Sequence, residues 1–277
     1  MFPAYVILEG IEVLPTLPEV VTLLSALLRD ERSSAADIEQ AVRIDPAITT
    51  NLIKAANSVH FTGYQPTTSI REAVARIGMR RVYEVAIGST LKRAIPKRLP
   101  GYGISGPKFW FHCIATACIA EALAKEVKLD SSDMAFTAGL LHDVGQLVIG
   151  NFLDEMMPES NWWTFGTHSD EKQTLGCNHN EVGGEIAVKW NLPTVIRQTC
   201  RWHHEFASTP KDCDLNLVAV VHLANAFAYI AGFSGGSCMG EVFDPQAQQH
   251  LGLTMKQLIE ISKGLKPAIN EMAASIS

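Results

Sequence analysis

Residues 138–150 read AGLLHDVGQLVIG, an apolar stretch with a histidine and an aspartate side by side at positions 142 and 143. Its composition reads as a buried helix. An imidazole and a carboxylate are costly there unless something pairs with them. The dipeptide alone carries little information. Nine His and 11 Asp in 277 residues supply roughly 0.4 such pairs by chance. Its meaning rests on the surroundings.

His142 follows Ala135, Ala138 and Gly139 at helical spacing. Such small side chains let a neighbouring helix approach closely and suit a site assembled between helices. Four more histidines fall at comparable places. His112 lies on the stripe Ala115, Thr116, Ile119 and Leu123, His179 opens NEVGGEIAVKW, and His203 and His204 end the helix begun at Pro193. His222 lies near another buried stripe, whereas His60, His168 and His250 stand in polar, exposed contexts. Imidazoles with a carboxylate suit zinc, iron or manganese and suit calcium poorly. Whether they meet at one point is open at this level. The pair alone has a structural use as well, tying core helices by a buried, charge-assisted hydrogen bond.

Helical signals run through the rest of the chain. Pro18 stands in a first turn before Val20, Val21, Leu24, Leu27 and Leu28. Ser34 with Asp37 forms a capping box, Asp45-Pro46 an N-cap and first helical residue, and Ser69 with Glu72 another start closed by Gly78. Further helices are expected over about 79–94, 107–127, from Ser132 or Asp133 through the His-Asp stretch, and over 179–190, 193–204, 214–231, 254–263 and 266–275. Residues 151–178, with Trp162 and Trp163, are the least periodic, and no β-hairpin signature stands out. AIPKRLPGYGISGP, at 94–107, holds three prolines and three glycines and marks a boundary. The expected fold is all-α with two helical subdomains, 1–105 and 106–277.

Composition narrows the function classes. Hydrophobic residues make up 47% and charged residues 19%, which suits a soluble globular core. The longest apolar run, 215–232, is interrupted by Asn216, His222 and Asn225 and reads as a buried helix, not a membrane span. No signal peptide stands out, and six cysteines without CxxC spacing read as reduced thiols, so a cytoplasmic location is expected. Residues 1–105 carry 12 basic and 10 acidic side chains, and 106–277 carry 11 and 19. The acidic second part argues against general nucleic-acid binding. The basic series Arg76, Arg80, Arg81, Lys92, Arg93, Lys97 and Arg98 reads first as a solvated face, so neutralising Arg80 and Arg81 together is expected to leave stability nearly unchanged. Trp110, Trp190 and Trp202 read as core packing.

The order His112, His142-Asp143, His179, His203-His204 resembles the HD superfamily of metal-dependent phosphohydrolases. LPTLPEVVTLL (14–24), RIDPAITTNLIKAANS (43–58), TSIREAVARIGMRRV (68–82), GLLHDVGQLVIG (139–150) and EIAVKWNLPTVIRQTCRWHH (185–204) resemble the HDOD family, the HD-related output domain. The likeness runs from about residue 12 to 230. It implies an HD-like helical bundle in the second subdomain. It also implies a ligand set of His112, His142 and Asp143, with His179, His203 and His204 as the additional ligands of two-metal members. The superfamily's distal acid falls at Asn225 in this sequence. An amide brings no charge, so the resemblance implies a degenerate site of weakened metal affinity. Glu205 stands where it could orient His203 or His204.

Two readings follow. HDOD domains are regarded as regulatory modules of bacterial signal transduction. The resemblance therefore implies a non-catalytic module engaging a signalling protein or a nucleotide in trans. The retained ligands imply the other reading, a metal-dependent phosphohydrolase acting on a nucleotide, cyclic nucleotide or other phosphoester, with Asp143 essential.

Overall fold

The structure is a computed structural model that describes residue 7 and residues 17–58, 65–129, 131–156, 164–236 and 243–276. His60, Trp162, Trp163 and Cys238 lie outside the described residues. Among the described residues the fold is all-α apart from one hairpin of two two-residue strands. The chain divides into two compact units, one of Pro15–Ala94 with Asn270–Ser277, the other built on Ile95–Ile269. The Pro/Gly-rich stretch therefore belongs with the second unit, and the division falls at its start, before residue 95, where the sequence suggested a boundary after 105. The chain's end clusters with the first unit.

In the first unit, α1 (Glu19–Arg29), α2 (Ala35–Val42) and α3 (Pro46–Ala56) pack on α4 (Ile70–Ala94). The starts follow the capping chemistry. In the α2 capping box the Asp37 backbone N–H donates to Ser34 Oγ while the Asp37 carboxylate accepts from the Ser34 N–H at 2.8 Å. Asp45 Oδ1 accepts from the N–H groups of Ala47 and Ile48. Gly78 breaks α4 with φ +80° and ψ 157°, a conformation that an L side chain rarely adopts. Arg76 bonds the Ala56 carbonyl and pairs with Glu72, Arg81 pairs with the buried Glu84, and Arg93 with Asp45. Much of the basic series is thus engaged within its own unit.

In the second unit, β1 (Arg98–Leu99) and β2 (Ile104–Ser105) form the antiparallel hairpin that sequence pattern missed. Gly101 and Gly103, both at positive φ, supply its turn. A long α5 (Gly106–Glu126) packs against α6 (Ser132–Leu141) and α11 (Leu215–Ile230). A Cβ on Gly139 would stand 2.8 Å from the Ala117 Cα, so the small-residue stripe does permit this close approach. Ser131, not Ser132 or Asp133, occupies the N-cap of α6, and its hydroxyl donates to Asp214.

The His-Asp stretch is not one helix. α6 ends at Leu141, residues 142–144 form a turn, and α7 (Gly145–Met156) follows. Within the aperiodic segment lies α8 (His168–Leu175). The order continues with α9 (His179–Lys189), α10 (Thr194–Trp202), α11, then α12 (Pro245–Leu251), α13 (Met255–Gly264) and α14 (Lys266–Ser275). α12 was not anticipated. Among the described residues five cysteines are free, and no helix is long and apolar enough to cross a membrane. Trp110 and Trp190 are buried, as core packing requires.

Candidate metal centre

Helix ends aim the histidines. His142 and His203 each stand just past a helix C-terminus, where the last carbonyls lack intrahelical donors. Each ring fills that need. His142 Nδ1 lies 2.7 Å from the Gly139 carbonyl and His203 Nδ1 3.0 Å from that of Cys200. His112, mid-helix in α5, bonds the Phe233 carbonyl through Nδ1 at 3.0 Å. His179 opens α9, which Asn178 and Glu181 start with a capping box. Its own N–H, without an intrahelical partner, donates to Glu171 Oε2 at 2.6 Å, and its Nδ1 lies 2.8 Å from Glu171 Oε1.

With Nδ1 so engaged, the Nε2 atoms turn inward onto Asp143. Its Oδ2 lies 3.5 Å from His112 Nε2 and 3.2 Å from His142 Nε2. Its Oδ1 lies 3.3 Å from both His179 Nε2 and His203 Nε2. His112 and His142 meet Nε2 to Nε2 at 3.3 Å. Two groups result, Asp143 with His179, His203 and His204, and Asp143 with His112 and His142, each with ligand atoms within 4.8 Å of one another. His112, His142, His179 and His203 are 0% exposed and Asp143 3%.

The donor set fits a divalent cation. An imidazole that donates through Nδ1 presents a bare lone pair at Nε2, and here such lone pairs face a carboxylate. Asp143 Oδ1, His179 Nε2 and His203 Nε2 are buried without a hydrogen-bond partner. Ligands held about 2.0–2.2 Å from one ion stand roughly 3 Å apart, close to the separations seen here. The electrostatics agree. Burial alone would raise the Asp143 carboxyl, but the histidines packed against it, His142 first, hold it well below its ordinary range. Burial opposes a proton on His179, yet Glu171 and Asp143 together raise it to about 10. Burial holds His203 down at about 3.

Asn225 lies on α11, 3% exposed, with its Oδ1 lacking a partner. Tyr229, one turn further, packs on the His112 ring at 5.3 Å between centroids, so this face of α11 turns toward the His112 side. Glu205 is placed elsewhere than the sequence suggested. Its Oε1 lies 3.7 Å from both His168 Nε2 and Arg201 Nη1, and His203 already bonds backbone through Nδ1. His168, read from sequence as exposed, stacks on His204 with ring centroids 5.2 Å apart. The carboxylate that stands behind one of the clustered histidines is Glu171, on His179, which sequence reading missed. The capping boxes Thr167/Asp170 and Asn178/Glu181 were the available signal, since they fix where Glu171 and His179 fall in their helices.

The HDOD domain family model matches residues 14–206. The chain belongs to the HDOD family. This HDOD chain is 27% identical over 235 residues to an uncharacterised protein of Treponema pallidum (strain Nichols), covering 79% of itself and 43% of that protein. It thus spans less than half the length of that curated relative. Among solved structures, a provisionally named signal transduction protein of Marinobacter aquaeolei VT8 matches with a TM-score of 0.74 at 21% identity, over 95% of the HDOD chain and 60% of that one. A provisionally named phosphohydrolase of Shewanella amazonensis SB2B matches with a TM-score of 0.71 at 20% identity, over 98% of each chain. These likenesses show the fold.

Proposed function

We propose that this HDOD chain is a cytoplasmic regulatory module of bacterial signal transduction that holds a divalent transition metal (zinc, iron or manganese) in its buried centre and engages its partner, a signalling protein or a nucleotide, in trans. The closure of the centre carries this reading. Structural metal sites are enclosed, whereas catalytic ones keep an open position, and four of the imidazoles are fully buried. A groove of about 630 Å³ beside α9 and α10 is lined by Lys172, Arg197, Arg201 and Trp202 among others, and by none of the metal ligands. The neutral Asn225 further weakens the case for turnover, and the Marinobacter protein's name agrees with a signalling role. Elemental analysis of the purified protein tests the reading together with a panel of nucleotides, cyclic dinucleotides and generic phosphoesters. Bound metal with no hydrolysis is expected. Hydrolysis abolished by His142→Ala would overturn the non-catalytic assignment.

A second reading, a metal-dependent phosphohydrolase, is favoured by one observation. His112, His142 and Asp143 offer only three ligand atoms, which leaves room for a substrate oxygen. The chemistry such an ion supplies when bound is polarisation of a phosphoryl oxygen and activation of water. The name of the Shewanella protein agrees with this reading.

A further inference from the structure

We propose that Glu171 is a positioning residue for the metal centre, and that the charge it places behind His179 makes the Asp143–His179–His203–His204 group the one that fills first. The inference rests on the metal-binding reading above and names how the two groups differ.

The ligands are not equivalent in what stands behind them. The Nδ1 atoms of His112, His142 and His203 face backbone carbonyls, and that of His204 has no partner. Only His179, among these five, has a carboxylate. Glu171 is 0% exposed, and both of its oxygens lie on His179, Oε1 2.8 Å and Oε2 2.9 Å from Nδ1, with Oε2 also taking the His179 N–H. A carbonyl offers a dipole, whereas a carboxylate offers a full charge. That charge makes the imidazole a stronger donor and fixes its tautomer and orientation.

Local structure sets this geometry before any ion arrives. The Thr167/Asp170 capping box starts α8 three residues before Glu171. Asn178 caps α9 immediately before His179, and Lys172 ties α8 to α9 through Glu181 at 2.6 Å. Ligand number and charge then point the same way. One group offers four ligand atoms with Asp143 in contact and Glu171 one hydrogen bond behind. The other offers three, and the α11 face that packs on His112 through Tyr229 carries at residue 225 an amide, which brings no charge. Once an ion shares Asp143 through the first group, less negative charge is left for a second.

Zinc titration of the stripped, purified chain tests this, with bound zinc counted by elemental analysis after gel filtration and affinity read by competition with a chromophoric chelator. One tight ion is expected, with a second at least about 10-fold weaker. Glu171→Gln keeps an acceptor oxygen for the His179 N–H and removes the charge. It should weaken the tight ion about 10- to 100-fold while the metal-free variant keeps the wild-type circular dichroism and melting temperature. His203→Ala should lose the tight ion, His112→Ala should retain it, and Asn225→Asp should strengthen the second. These three variants separate the two groups even if Glu171→Gln folds poorly. Two ions of equal affinity, a tight ion lost in His112→Ala but kept in His203→Ala, or an unchanged affinity in folded Glu171→Gln would each overturn the proposal and leave the metal reading standing. A wild-type chain that takes up no zinc overturns the metal reading itself, and this inference with it.

Discussion

The carbonyl oxygen of His179 stands only 2.0 Å from where a Cβ on Gly145 would sit. The first residue of α7 and the first residue of α9 therefore meet backbone to backbone, and this approach brings Asp143, just before α7, against His179. The Gly183 N–H, 2.8 Å from the same point, closes the other side. Neither neighbour is a flexible side-chain tip, so a methyl group has nowhere to go.

Gly145→Ala should accordingly destabilise the protein by about 3 kcal/mol, the upper range for overpacking, and should weaken zinc binding by displacing His179 from Asp143. Gly264→Ala is the matched control, because a Cβ there meets nothing within 4 Å. Alanine is the better helix former, so this variant should be neutral or gain about 0.5 kcal/mol. Urea denaturation of the two variants reads the contrast.

How much of this was legible varies with the range of the cause. The starts at Ser34/Asp37 and Asp45-Pro46 and the break at Gly78 were legible because each is decided within four residues. The six candidate ligand positions came from resemblance, since their meeting depends on helices packing across the unit. The turn at 142–144 was hidden because the apolar runs on both sides of His142-Asp143 read together as one helix. What interrupts the helix is His142 bonding the Gly139 carbonyl and Gly145 fitting against α9. Glu171 was hidden for a related reason. It reaches His179 across a helix end and a turn, a separation that no helical period encodes. Glu205 looked better placed only because it is adjacent in sequence.

Metal removal should cost stability. An ion that binds the folded chain alone stabilises it by mass action, about 2.7 kcal/mol at a free concentration 100 times its Kd. Without it, the Nε2 atoms of His142, His179 and His203 crowd onto the Asp143 carboxylate in the core. Exhaustive chelation should lower the melting temperature by several degrees, and zinc should restore it. An identical melting curve with and without metal would show that no ion binds selectively to the folded state.

The first unit supplies a pH dependence away from the histidines. Burial pushes the Asp45 carboxyl up, but the Ile48 N–H, Arg93 and the Ala47 N–H outweigh it and hold the group below its ordinary value. A carboxyl depressed in the folded state contributes stability above its unfolded pKa of about 3.9. That contribution is lost as pH falls through the lower folded value. Asn also caps helices well, so Asp45→Asn removes mainly the charge and its pairing with Arg93, worth about 0.5–1 kcal/mol at this partly exposed site. Denaturation at pH 7 should show that gap, and at pH 3 it should narrow. A gap that widens toward acid would contradict the assignment.

Arg80 and Arg81 separate in the structure, although they looked interchangeable as one basic dipeptide. Arg80 is exposed. Arg81 Nη1 lies 2.6 Å from Glu84 Oε2, whose side chain is only 3% exposed. Removing one partner of a buried pair leaves the other charge desolvated, and this typically costs about 3–5 kcal/mol. Arg81→Gln should therefore destabilise the protein by about 3 kcal/mol. Arg80→Gln should stay within about 0.5 kcal/mol of wild type, the usual range for surface substitutions. The structure thus replaces the expectation of a harmless double neutralisation with a loss expected at Arg81. The double variant Arg81→Gln/Glu84→Gln checks the cause. It should recover part of the loss, because the buried Glu84 charge is then removed together with the charge that faces it. Equal losses in Arg81→Gln and the double variant would assign the cost to the packing of the arginine stem.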